Sequence, residues 1–235
     1  MPDPILGTPA ESGPAASGPL LKICGLRQPA QARAVARMGV DAIGVIGVRA
    51  SPRWVPLADR SALFATIAAA APACRRVLVV ADPSDGELAE LDPAAGHTVL
   101  QLHGNEGPER CAQLRRRLPG LELWKALRIR QPGDLRQAQA FASVVDALLL
   151  DAWVPDQLGG TGHRIPLEWL TGFAPPRPWW LAGGLRAERI GLVCQALRPT
   201  GLDASSGVER APADKDLAAV EALVAAVRAW PRAVP

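Results

Sequence analysis

Cys24 and Asp151 are the two side chains placed to move protons, because each closes a short apolar run: Leu20-Leu21-Lys22-Ile23-Cys24 and Asp146-Ala147-Leu148-Leu149-Leu150-Asp151. A thiolate can serve as a general base when nearby positive charge or a backbone dipole lowers its pKa, and a carboxyl group at a strand end can serve as a general acid. Both residues also have ordinary readings. Free cysteines are mostly small buried hydrophobes, and a terminal aspartate also acts as a loop residue or as a cap for backbone N–H groups. Strand side chains alternate, so Lys22 shares a face with Cys24, and an inward lysine is costly unless paired. Asp203 is its expected partner, one layer below the site, if a closed barrel sets the last strand beside the first.

Other residues suggest anion binding. Three turns, Gly159-Gly160-Thr161-Gly162, Gly183-Gly184 and Ser205-Ser206-Gly207, each follow an apolar run. Glycine admits close approach of a phosphate, and turns of this kind expose backbone N–H groups. Each alone is ordinary turn chemistry; three in neighbouring loops favour a phosphate site formed by Gly160, Thr161, Gly162, Gly183, Gly184, Ser205 and Ser206. Arg53, in Ser51-Pro52-Arg53-Trp54-Val55, could grip a carboxylate through two parallel hydrogen bonds, or be a solvated surface arginine. His103, in Gln101-Leu102-His103-Gly104, reads as a donor in the site wall or as a hydrogen-bonded rim histidine. The seven tryptophans read as packing, since no dinucleotide fingerprint accompanies them.

The elements that would position these groups follow a strict alternation. Strands are expected at Leu20–Cys24, Asp41–Val48, Arg76–Ala81, Thr98–Leu102, Leu121–Leu127, Val145–Leu150, Trp179–Ala182 and Gly201–Ala204. Helical segments are expected near Pro29–Met38, Leu57–Ala70, Asp85–Leu91, Pro108–Leu118, Pro132–Ala140, Leu167–Leu170, Ala187–Leu197 and Asp214–Trp230. Eight strand–helix units in roughly 215 residues predict a single-domain α/β fold, the (β/α)8 TIM barrel, with its site at the C-terminal ends of the strands. An open doubly wound sheet is the alternative, and it would place a ligand at a strand-order switch point instead. Residues 1–19 are rich in Pro, Gly, Ser and Ala and read as a flexible tail; residues 20–235 form the catalytic domain.

Composition narrows the function classes. The net charge of +3 is spread along the 235 residues, and the densest basic run, Arg115-Arg116-Arg117, falls where a helix would end and suits its dipole. Nucleic acid is therefore not an expected partner. The four cysteines form no C-x-x-C pair and join no histidine cluster, so neither a zinc site nor a disulfide framework is expected, and a reducing cytoplasm fits. No apolar run approaches the ~18 residues of a bilayer span, and no signal-peptide pattern opens the sequence, so no membrane partner or export is expected.

The motifs in their order carry a resemblance. Lys22-Ile23-Cys24-Gly25, Gly39-Val40-Asp41-Ala42-Ile43-Gly44, Ser51-Pro52-Arg53, Gln101-Leu102-His103-Gly104, Leu150-Asp151, Gly159-Gly160-Thr161-Gly162, Gly183-Gly184-Leu185 and Asp203-Ala204-Ser205-Ser206-Gly207-Val208-Glu209 resemble those of the phosphoribosylanthranilate isomerases of tryptophan biosynthesis. The resemblance implies an Amadori rearrangement of N-(5-phosphoribosyl)anthranilate, a phosphorylated aminosugar, without metal or organic cofactor. It implies Asp151 as general acid, Cys24 as general base, Arg53 on the anthranilate carboxylate and the glycine and serine turns on the phosphate. Two departures bear on packing and phosphate electrostatics: Val45-Ile46-Gly47 stands where the family is often aromatic, and His163 where lysine or arginine is common. Among other phosphate-binding barrels, the histidine-pathway isomerase resembles a two-carboxylate design, whereas Cys24 ends the first strand here. Indole-glycerol-phosphate synthase would call for lysine and glutamate catalysts that no strand end supplies. A catalytically silent binding protein would have no need of Cys24 and Asp151.

Overall fold

The computed structural model describes residues 18–152 and 163–230. Eight parallel strands close into one barrel in chain order. They are β1 (Leu20–Cys24), β2 (Ala42–Ile46), β3 (Arg75–Val80), β4 (Val99–Leu102), β5 (Glu122–Ile129), β6 (Ala147–Ala152), β7 (Trp179–Ala182) and β8 (Gly201–Ala204). The α-helices are α1 (Pro29–Arg37), α2 (Leu57–Ala70), α3 (Pro108–Arg117), α4 (Ala187–Ala196) and α5 (Leu217–Arg228). The expected barrel is therefore present and the open sheet is excluded, since β1 pairs with both β2 and β8.

Strand alternation divides the apolar residues into two populations. One set, including Leu21, Ile23, Ile43, Leu78, Leu100 and Leu148, faces outward and forms one core with the helices. The other set fills the barrel lumen: Ala42, Val77, Val99, Trp124, Ala147, Leu149 and Trp180. Both faces of each strand are buried, which is why the strands read as apolar runs and not as alternating ones. Trp124 and Trp180 stack with ring centroids 4.8 Å apart, so the packing role read for the tryptophans holds for these two. Their bulk requires glycine next door. A Cβ on Gly201 would lie 2.3 Å from the Trp180 ring.

The described residues after β3, β5 and β6 include helical segments tighter than α. Asp85–Leu91, Pro93–Ala95, Pro132–Phe141 and Leu167–Leu170 are 3-10 segments. Pro93 disfavours α geometry in the residue before it, and Leu167–Leu170 is a single turn entered through Pro166. The last helix starts later than expected. Asp214–Lys215 forms β10, pairing antiparallel with β9 (Glu209–Ala211), and Asp216 caps α5 by accepting from the Ala218 and Ala219 N–H groups.

Buried ion pairs reinforce the barrel. Lys22 Nζ lies 2.8 Å from Asp203 Oδ2, as the register Lys22↔Asp203 across the β1–β8 seam requires. A second pair, Lys125 Nζ and Glu106 Oε2 at 2.8 Å, lies outside the lumen. Lys125 also donates to the Gly104 carbonyl at 2.9 Å, pinning the loop after β4 to β5. Among the described residues no helix is long and apolar enough to cross a membrane.

Candidate active site

Closing the barrel brings the ends of distant strands to one rim, and one cavity there is lined by Cys24, Arg53, His103, Asp151, Gly183, Gly184, Ser205 and Ser206. Eight of the eleven residues expected to form a site thus meet. The other three, Gly160, Thr161 and Gly162, lie outside the described residues. Ile46, Gln101 and Asp203 also line the cavity. Gln101 and Asp203 were quoted in motifs but assigned no contact with a ligand; their strand parity, two residues from His103 and from Ser205, was the available signal.

Cys24 is 7% exposed at the end of β1. Burial pushes its thiol pKa up, while Lys22 and Lys215 pull it the other way. Lys22 feels the converse: burial opposes its charge, but Asp203 and Cys24 outweigh that and hold its pKa above the ordinary lysine value. Cys24 is therefore both buried and at the mouth, where it lines the cavity.

Asp151 enters from β6, which β7 and β8 separate from β1. Its Oδ1 accepts from the Ala152 N–H at 2.9 Å, and its Oδ2 lies 3.3 Å from His103 Nε2. The carboxylate is therefore oriented within the rim and is not a solvated loop residue. His103 Nδ1 lies 3.0 Å from Gln101 Nε2. If that amide donates, the other ring nitrogen carries the proton and faces Asp151.

Arg53 is 6% exposed and not a surface arginine. Within the chain it already meets a carboxylate: Nε donates to Glu209 Oε1 at 2.9 Å and Nη2 to Glu209 Oε2 at 2.6 Å. That fork raises the guanidinium pKa, chiefly through the Glu209 hydrogen bonds. Glu209 was visible in the sequence only as the end of a motif.

Also at the mouth, Gly183 and Gly184 follow β7 with φ of +99° and +59°. These are left-handed values that other residues rarely adopt. A Cβ at Gly183 would also fall 2.5 Å from the His163 carbonyl oxygen. Ser205, after β8, donates its hydroxyl to the Cys24 carbonyl at 3.0 Å, tying the last strand end to the first. Among the described residues no cluster of three His, Cys, Asp or Glu side chains could hold a metal ion.

This arrangement can shuttle protons between a thiol and a carboxyl across a bound molecule, with a cationic group and glycine and serine turns around it. The chain as a whole is similar to known proteins. The family model described as N-(5'-phosphoribosyl)anthranilate (PRA) isomerase matches residues 21–226. N-(5'-phosphoribosyl)anthranilate isomerase of Synechococcus elongatus is 50% identical over 203 residues, covering 86% of this chain and 93% of that protein. The same enzyme of a Synechocystis strain is 44% identical, again over 86% and 93%. The crystal structure of phosphoribosyl anthranilate isomerase from Thermus thermophilus superposes with a TM-score of 0.76 at 32% identity, covering 88% of this chain and 97% of that one. The match extends over nearly all of the barrel at these identities, so this chain belongs to the N-(5'-phosphoribosyl)anthranilate isomerase family.

Proposed function

We propose that the protein converts N-(5-phosphoribosyl)anthranilate into 1-(2-carboxyphenylamino)-1-deoxyribulose 5-phosphate, the third step of tryptophan synthesis from chorismate, with Asp151 as general acid and Cys24 as general base. The observation that carries this reading is the convergence of Cys24 and Asp151 on one enclosed cavity, from strands separated by two others, in a member of that family.

In this reading Asp151 gives its proton to the ring oxygen of the ribose while the amine nitrogen lone pair forms a C1=N bond, which opens the ring to an iminium ion. Cys24 then takes the proton from C2, and the C–H electron pair neutralises the iminium to leave an enolamine. Return of a proton to C1 and loss of the C2 hydroxyl proton complete the ketone, so the net change is an isomerisation. Burial opposes the thiolate at rest. The cationic iminium adds to the pull of Lys22 and Lys215, favouring the thiolate when the C2 proton must leave.

Positioning comes from the ends of the molecule. Arg53 faces the anthranilate carboxylate, and the turns at Gly183-Gly184 and Ser205-Ser206 offer backbone N–H groups to the phosphate, together with Gly160, Thr161 and Gly162. Held at both ends, the sugar is fixed between acid and base, and binding energy at the non-reacting groups serves orientation at C1 and C2. His103 contributes through its contact with Asp151. The four thiols Cys24, Cys74, Cys111 and Cys194 are free and buried, which suits a reducing cytoplasm.

The test is loss of anthranilate-type fluorescence on incubation with freshly made substrate. Wild type is expected to turn over, and Cys24→Ala and Asp151→Asn to lose roughly 10²–10⁴-fold in kcat, the usual scale of a general acid or base. A folded wild type without turnover would sink the assignment; variants as fast as wild type would sink the acid–base pair.

A further inference from the structure

Lys215 lies outside the acid–base pair just described, acting on it only as a positive charge near Cys24, and it is fully buried beside the site. An ammonium ion in such a place is costly unless its partners are well arranged. Its Nζ donates to Glu209 Oε1 at 2.6 Å and to the Ser205 carbonyl at 3.2 Å. Its backbone is fixed as well: Lys215 N–H donates to Gln31 Oε1 at 3.2 Å, and Gln31 Nε2 donates to the Lys215 carbonyl at 3.3 Å. The remaining reach of Glu209 goes to Arg53, whose Nε lies 2.9 Å and 3.2 Å from the two carboxylate oxygens and whose Nη2 lies 2.6 Å from Oε2. Because the Ser205 hydroxyl holds the Cys24 carbonyl, one chain of bonds runs from Arg53 through Glu209, Lys215 and Ser205 to Cys24.

A lone glutamate bonded along one edge of an arginine would orient it and also neutralise it, weakening its pull on a second carboxylate. Lys215 shares that negative charge. Glu209 keeps its carboxylate form even though burial opposes it, because Arg53 and Lys215 both donate to it. Two cations then stand against one anion, so the guanidinium is held in place without being cancelled.

We propose that Lys215 is a positioning residue for carboxylate recognition: by dividing the charge of Glu209 it lets that side chain aim Arg53 while leaving Arg53 attractive to an incoming carboxylate, and through Ser205 it locks this grip to the phosphate-side turn. The proposal rests on the assignment of Arg53 to the substrate carboxylate made above.

The experiment is calorimetric titration of the full-length protein with two ligands, reduced 1-(o-carboxyphenylamino)-1-deoxyribulose 5-phosphate and its counterpart without the ring carboxylate. Their affinity ratio measures carboxylate discrimination independently of turnover. Lys215→Met is expected to lower that ratio by about tenfold, the scale of one charge-assisted hydrogen bond, with the carboxylate-free ligand bound as by wild type. Lys215→Arg, which restores the charge, is expected to keep most of the discrimination. Lys215→Gln, which keeps a donor to Glu209 without the charge, is expected to behave as Lys215→Met and serves if the latter does not fold. Equal weakening of both ligands, or an unchanged ratio, would overturn the proposal. Arg53→Ala separates the two layers of the argument. A ratio that survives it removes the Arg53 assignment and this proposal together, whereas a ratio lost in Arg53→Ala but intact in Lys215→Met overturns the role of Lys215 alone.

Discussion

Burial and charge act in opposite directions on the Cys24 sulfur. Desolvation raises the pKa of the thiol, and Lys22 and Lys215 only partly offset it, with Asp203 adding to the rise and Arg53 also within electrostatic range. The thiolate is the reactive form, so raising the pKa means that the reactive fraction grows only at higher pH. The kcat/KM of the free enzyme is therefore expected to climb with pH along a limb above the ordinary thiol range, and the rate of Cys24 alkylation by iodoacetamide to climb with it. Both profiles are measurable on one preparation, the second by mass spectrometry of the labelled peptide. A limb below the ordinary thiol range would mean that the cationic neighbours dominate instead of burial. Cys24 and Asp151 were legible in the sequence because a strand end is a local feature, readable from an apolar run and what terminates it. Glu209 and Lys215 were not, because their meaning lies in contacts across the fold: Glu209 meets Arg53, 156 residues away in the chain, and Lys215 meets Gln31, 184 residues away.

Elements hold the site by two devices that local sequence does not advertise. The first is the pairing of a large ring with no side chain at all: Trp180 on β7 occupies the space above Gly201 on β8. Gly201→Ala would force a methyl group into the Trp180 ring and is expected to cost about 1–3 kcal/mol, the usual penalty for overpacking a dense core, measured as a shift in the denaturant midpoint. An unchanged midpoint would show that the Trp124–Trp180 stack can move aside. The second is the Lys125–Glu106 pair, whose side chains are 4% and 1% exposed. Lys125→Met leaves a buried carboxylate without its cation, so a loss of about 3–5 kcal/mol is expected from equilibrium unfolding, and the loop after β4 should exchange amide hydrogens faster. The helical segments were harder to read than the strands. Helical segments expected at Asp85–Leu91 and near Pro132–Ala140 are present, but as 3-10 turns over Asp85–Leu91 and Pro132–Phe141, a distinction that apolar periodicity does not draw.

At the scale of the whole molecule the two rims divide the work. Groups for chemistry gather at the C-terminal ends of the strands, whereas His97, in the connection entering β4, lies at the other end, where residues serve stability. It is 2% exposed and sits 5.7 Å from the Phe64 ring. Burial lowers its pKa to about 4, the Leu91 backbone only partly opposing this. An unfolded histidine binds its proton near pH 6.5. Between that pH and about 4 the unfolded chain therefore takes up a proton that the folded chain refuses, and stability falls as pH falls, by at most about 1.4 kcal/mol per pH unit. His97→Leu is expected to flatten this slope in unfolding curves taken between pH 7 and 5, and an unchanged slope would assign the acid sensitivity to other groups.

The sequence by itself determined the number and order of the barrel strands, the apolar character that buries both their faces, the residues near their ends and the turns that follow. These are consequences of backbone periodicity and local turn chemistry, which act over a few residues. Even the Lys22–Asp203 pair could be anticipated, because barrel closure makes the first and last strands neighbours. Only the tertiary structure decided that Asp151 would face His103, that Arg53 would be gripped by Glu209, and that Lys215 would lie buried against Glu209. Those outcomes depend on the shear of the closed barrel and on the β9–β10 hairpin folding back across its rim, and such long-range geometry leaves no periodic trace in the chain.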